Sequence, residues 1–257
     1  MKKISEIKEE FDSLLPEEIA QGIAPYREDG RKGVQNLILS QEKRLEKYRR
    51  ELARIEELCF YEKKYEAYEM ICGIDEVGRG PLAGPVVAGA VILPKGCRIL
   101  YINDSKKLSA KKREELAEVI KREAVAVGIG MSSPERIDEI NILQATYEAM
   151  RRAIDSLGMK PDLLLNDAVR IPEVDIPQVP IIKGDAKSIS IGAASIVAKV
   201  YRDQMMTEYD AIFPGYDFAS NKGYGSKEHI EAIKRIGPCP IHRRSFIKNI
   251  YGQQDPD

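Results

Sequence analysis

The chain has 257 residues, 43% of them hydrophobic and 32% charged, enough for one large domain or a medium domain with an appendage. Its 40 basic and 41 acidic side chains leave a net charge of -1, so no global excess advertises a polyanion partner, although a local patch can still do so. Four cysteines without a C-x-x-C pair and only two histidines, His229 and His242, argue against zinc and for a reduced, cytoplasmic protein.

The basic start MKKISEIKEE is not followed by an apolar stretch. The longest apolar run, Leu82 to Leu93, is broken by Pro85 and far shorter than the roughly 20 residues that cross a bilayer. Neither export nor a membrane partner is expected.

Residues 1–69 read as an all-helical N-terminal segment with only three glycines. A short helix is expected to begin near Pro16, which suits a first helical turn. Ile38, Leu45, Tyr48, Leu52, Ile55 and Cys59 then recur in heptad-like steps on a long helix. Such a segment either packs on itself or on the main domain, or serves as an arm for a protein partner.

From Met70 the texture changes to short β-rich runs, expected at 70–77, 86–93, 124–131, 162–167 and 179–183. Helices lie between and after them. One follows Ser109 as its N-cap, one starts at Asn141 and stops at Gly158, and one covers Ile189 to Tyr209. The pattern is an α/β one, a mixed β-sheet flanked by helices. A catalytic domain over 70–252 with C-terminal helices is expected, and the tail at 253–257 reads as disordered.

The most informative stretch is CGIDEVGRGPLAGP, where Asp75 and Glu76 close an apolar run and glycines surround Arg79. Neighbours on a regular strand point to opposite faces, so for both acids to serve one site the strand should bulge or end there. A dinucleotide fingerprint fails, because the spacing is Gly78-x-Gly80-x-x-x-Gly84 and Pro85 interrupts the helix that would receive a pyrophosphate. A hard divalent cation held by carboxylates fits better, and two such ions suit phosphodiester hydrolysis. Further acids follow apolar runs, Asp167 in PDLLLNDA and Asp185 in IIKGDAKS.

Four separated motifs, GIDEVGRGPLAGPVVAGAVIL, NDSKKLS, IIKGDAKSISIGAASIVAKVYRD and NKGYGSKEH, together resemble the bacterial ribonuclease HII family over residues 70 to about 250. The resemblance implies a ribonuclease H-like fold and a Mg2+- or Mn2+-dependent endonuclease working as a monomer. Its implied partners are RNA/DNA hybrid and duplex DNA containing ribonucleotides, cut on the 5′ side of a lone ribonucleotide to leave a 3′-hydroxyl and a 5′-phosphate. Asp75, Glu76, Asp167 and Asp185 match the catalytic metal-site carboxylates. Asn166 stands where an apolar residue is expected before the third acid.

Gly78, Arg79 and Gly80 match the element whose backbone approaches the ribose 2′-hydroxyl, the group that separates RNA from DNA. Tyr224 matches the tyrosine that packs on the neighbouring deoxyribose. Ser105, Lys106 and Lys107 match a phosphate-contacting loop; apart from the resemblance, Lys183 and Lys187 flank Asp185 and are expected either to moderate the carboxylate cluster or to contact the scissile region, Lys187 as a candidate substrate contact. The sister ribonuclease HIII family is disfavoured by Arg79 and by the helical N-terminal segment.

Residues 221–250 carry seven basic and two acidic side chains, a local +5 suited to a duplex backbone. His229 is expected to cap or pack rather than to act as an acid. Lys43, Arg44, Lys47, Arg49 and Arg50 offer the N-terminal segment a means of adding duplex affinity. Two other classes stand against the nuclease: a binding or tethering protein without catalysis, which the complete acid set opposes, and a phosphoesterase for small esters, which has no use for the basic stripe or Tyr224.

Overall fold

A computed structural model describes residues 1–251, in two compact units, Met1–Glu57 and Leu58 onward. The tail expected at 253–257 lies outside the described residues. The first unit holds α1 (Ile4–Ser13), α2 (Ile19–Ile23) and most of α3 (Lys32–Leu58). Ile7, Phe11, Ile19, Ile23, Val34 and Ile38 form its core, with Phe11 set edge-on to Tyr26 at 5.4 Å. α1 is absent from the sequence reading, and the helix expected near Pro16 begins only at Ile19, after a turn. The basic residues Lys43, Arg44, Lys47, Arg49 and Arg50 are exposed on α3, where Glu46 pairs with Arg50.

The second unit begins ahead of the change of texture at Met70. Short helix α4 (Phe60–Lys64) belongs to it, because Tyr61, Tyr65 and Tyr68 pack on the sheet core of Ile71, Leu163, Leu165, Ile181 and Ile191. The sheet has five strands, β1 (Ile71–Val77), β2 (Val86–Ile92), β3 (Ala126–Ser132), β4 (Leu163–Asp167) and β5 (Gln178–Ile181), in the order β3-β2-β1-β4-β5. β1 runs antiparallel to β2 and parallel to β4, so the sheet is mixed as expected.

α5 (Ala110–Glu123) follows the Ser109 cap, whose hydroxyl accepts from the Lys112 N–H. α6 (Pro134–Asp155) is longer than expected and breaks at Asn141, whose φ is +67°. The Asn141 carboxamide oxygen accepts from the Leu143 and Gln144 N–H groups, so the expected helix start is real and a preceding turn of helix joins it. α7 (Ile189–Ile212) packs on β1 and β2, while α6 covers β2 and β3 on the other face. α8 (Phe218–Asn221), α9 (Lys227–Ile236) and α10 (Arg244–Tyr251) complete the unit.

α7 approaches β1 at Gly73, where an added Cβ would lie 2.1 Å from the Ser190 carbonyl carbon. Its N-terminus is held by Glu62 of α4, which accepts from the Ser190 N–H at 3.1 Å and from the Ser188 and Ser190 hydroxyls. A carboxylate at that position complements the unpaired amides and the positive end of the helix dipole. Among the described residues no helix is long and apolar enough to cross a membrane.

Candidate active site

The parallel pairing of β1 with β4 places Asp75 and Asp167 at the same level. Ile74 registers with Asn166, and the next residue on each strand is the acid. The anticipated bulge or strand end is corrected. β1 stays paired with β2 through Val77, whereas its pairing with β4 stops at Ile74. The acids therefore sit on strand with one unpaired side, which lets neighbours of opposite pleat interact with the same partner, Asp167. Asp185 follows β5 on a 3-10 turn, Gly184–Ala186, and interacts with Asp167 as well.

Asp75 is only 7% exposed. Burial, then the charges of Glu76 and Asp167, push its carboxyl well above the usual range, with the Ser195 hydroxyl of α7 pulling the other way. Burial also raises Glu76, against the opposing effect of Arg79 at 3.3 Å. Asp185 is raised by burial and by Asp104 and Asp167, with Lys106 opposing. Asp167 Oδ1 accepts from the Gly184 N–H at 2.7 Å, which ties the third acid to the turn carrying the fourth.

These are four carboxylates, with Arg79 opposing the shift of Glu76 and Lys106 that of Asp185, an all-oxygen donor set of the kind Mg2+ and Mn2+ take. Among the described residues no group of three or more His, Cys, Asp or Glu side chains stands close enough together to hold a metal ion by itself. A cation held here would therefore need further ligands from water and substrate phosphate oxygens.

Gly78 turns the chain away from β1 with φ +90°, and Gly80 lies against Tyr224, whose Cε1 would be 3.9 Å from an added Cβ. Tyr224 is 44% exposed, Arg79 is exposed, and Lys106, Lys107 and Lys187 all reach solvent. Ser105 differs from the expected phosphate contact: it is buried, and its hydroxyl is bonded to that of Ser195 at 3.0 Å. Asn166 is fully buried and donates to Gln178 Oε1 at 2.9 Å, so the polar residue before the third acid is matched by a polar partner on β5.

Two buried arginines escaped the sequence reading. Arg202 of α7 donates to the carbonyls of Ala83, Pro85 and Lys222, and Arg243 donates to those of Gly78, Arg79 and Gly84. Arg202 could have been suspected, since it follows an apolar helical run on the buried face. Arg243 was counted in the basic stripe, yet it is fully buried, so that stripe is one charge weaker at the surface.

His229 packs, as expected. It lies 3.0 Å from His242, Nε2 to Nε2, and both are buried beside Tyr216 and Phe218. Burial, then the neighbouring His229 and more weakly Arg244, pull His242 down to about 4, the Cys239 backbone alone opposing. A histidine below its ordinary value stabilises the fold above about pH 6.5, and that stabilisation is lost as pH falls toward about 4. Asp75, raised by burial, contributes with the opposite sign. We predict that the thermal midpoint falls more steeply over this window in the unaltered protein than in His242→Gln, as differential scanning calorimetry would show.

The family model described as Ribonuclease HII matches residues 72–249, and that of the Ribonuclease HII N-terminal domain matches residues 3–66. A Ribonuclease HII from Lachnoclostridium phytofermentans is 65% identical over 96% of this chain and 98% of its own length. One from Clostridioides difficile is 54% identical over 97% of this chain and 98% of its own. The crystal structure of ribonuclease H2 from Pyrococcus horikoshii superposes with a TM-score of 0.58 at 26% identity, over 72% of this chain and 98% of that one.

Proposed function

Since the chain belongs to the ribonuclease HII family and is a hydrolase of the nuclease class, we propose that it cuts the RNA strand of RNA/DNA hybrids and incises duplex DNA 5′ to a single ribonucleotide, leaving a 3′-hydroxyl and a 5′-phosphate. The observation that carries this reading is one of adjacency. The carboxylates of Asp75 and Glu76 lead directly into the Gly78-Arg79-Gly80 turn, with Tyr224 against Gly80.

Asp75, Glu76, Asp167 and Asp185 would hold two Mg2+ or Mn2+ ions, which when bound supply Lewis acidity at the phosphate and a more acidic water. The protein's own groups do the rest. The turn brings bare backbone to the ribose, where a side chain would keep a 2′-hydroxyl out of reach. Tyr224 offers a ring face to the adjacent sugar. Lys106, Lys107 and Lys187 neutralise flanking phosphates, so binding should weaken steeply with salt.

The test is cleavage of an end-labelled DNA duplex containing one ribonucleotide, with Mg2+, Mn2+ or EDTA. A single metal-dependent cut on the 5′ side supports the reading. Cleavage of a long hybrid alone would restrict the function to hybrids, and inactivity on both would favour a binding protein.

A further inference from the structure

Between α9 and α10 runs Cys239–Arg243, a segment with no role in the chemistry described so far. Its backbone is laced to the strip that follows the glycine turn. The Gly84 N–H donates to the Ile241 carbonyl, and the Arg243 N–H donates to that of Leu82, both at 2.9 Å. The same strip donates from Leu82 to the Gly223 carbonyl at 2.8 Å, beside Tyr224. The segment thus touches both elements proposed to read the sugar.

Arg243 acts on the first. It is fully buried, the hydrogen-bond partners of its guanidinium among the described residues are all carbonyl oxygens, and two of them belong to Gly78 and Arg79. In a trans peptide the C=O and the following N–H point in opposite directions. Holding the Gly78 and Arg79 carbonyls inward therefore turns the N–H groups of Arg79 and Gly80 away from Arg243. Neither N–H has a hydrogen-bond partner among the described residues, so both are donors left for a ligand.

His242 acts on the second. His242 Nδ1 meets the Cys239 N–H, which can only donate, at 3.0 Å, nearer than the Cys239 carbonyl at 3.3 Å, which assigns the proton of neutral His242 to Nε2. That N–H donates to His229 Nε2 at 3.0 Å, which leaves the His229 proton on Nδ1, 2.8 Å from the Tyr224 carbonyl. The reverse tautomers would set a bare ring nitrogen against that carbonyl. Two neutral histidines thus form a directed chain that ends on Tyr224.

We propose that Arg243 and His242 are positioning residues which hold the Gly78-Arg79-Gly80 turn and Tyr224 in one register, and that this register separates a ribonucleotide from a deoxyribonucleotide. The inference rests on the function proposed above and adds which residues set its specificity. A guanidinium fork can span three carbonyls at once, whereas a lysine ammonium is a compact point charge. Arg243→Lys keeps the buried cation and loses the fork.

The experiment measures binding of the full chain to a DNA duplex with one ribonucleotide and to the same duplex in all-DNA form, with Ca2+ replacing Mg2+ so that affinity is read without turnover. Circular dichroism confirms folding of each variant. In Arg243→Lys the preference for the ribonucleotide is expected to fall at least tenfold while all-DNA affinity stays within twofold. His242→Phe, which cuts the chain to Tyr224 and leaves Arg243 in place, is expected to erode the preference separately, and His242→Gln to restore part of it. An unchanged preference in folded Arg243→Lys and His242→Phe overturns the inference alone. A wild-type protein without any preference overturns it together with the proposed function. Equal losses of affinity for both duplexes show a merely structural role and overturn it as well.

Discussion

Asp75→Asn is expected to lower cleavage at an embedded ribonucleotide by about three orders of magnitude, equivalent to about 4 kcal/mol, while raising the thermal midpoint of the protein in EDTA. Asp75 is buried beside Glu76 and Asp167, and the opposing influences of Ser195 and of the Glu76 N–H do not offset that burial and repulsion. Its folded-state carboxyl is raised, so ionisation at neutral pH weakens the fold. Asparagine removes the charge and keeps nearly the same shape, so the repulsion goes and the packing stays. The cations that relieve the same repulsion lose a ligand. Each kcal/mol of relief corresponds to roughly 2–4 °C in a domain of this size. Calorimetry in EDTA and a cleavage assay in Mg2+ test the two halves, and retained activity or an unchanged midpoint would separate Asp75 from the metal site.

The second large effect concerns a residue without a side chain. Gly73→Ala places a Cβ 2.1 Å from the Ser190 carbonyl carbon and 2.3 Å from the Ile191 nitrogen, both backbone atoms of α7. Backbone cannot step aside as the end of a flexible side chain can. Overpacking of this kind costs about 3 kcal/mol, a fall of roughly 6–12 °C in the midpoint. Activity should fall too, because α7 carries Ser195 against Asp75, two residues along the same strand. Gly30→Ala, with nothing within 4 Å of its added Cβ, is the control and should leave both quantities unchanged. A midpoint in Gly73→Ala equal to that of the control would mean that α7 does not sit on β1 this closely.

The strands of the second unit were legible because each is a short, nearly continuous apolar run stopped by glycine, proline or acid, which is how buried strands read. β1 lies at Ile71–Val77 against an expected 70–77, and β4 at Leu163–Asp167 against 162–167. α1 was missed because its two buried positions, Ile7 and Phe11, are outweighed by charged neighbours. The turn of helix before Asn141 carried a signal that went unused, a Ser133 cap followed by Pro134 and Glu135.

The candidate site divides in the same way. Asp75, Glu76, the Gly78-Arg79-Gly80 turn, Asp167, Asp185 and Tyr224 stand in motifs that are contiguous in the chain, so they could be singled out as candidates before any fold was known. Arg202, Arg243, Ser195, His242 and Glu62 could not be read that way. Each matters through a partner far along the chain: Glu62 through Ser190, Ser195 through Asp75, Arg243 through Gly78, Arg202 through Pro85 and His242 through His229. A charged or polar side chain looks the same in sequence whether it ends in water or in the interior. Only tertiary packing, by removing water and supplying carbonyls as the remaining partners, turns it into a fixed support.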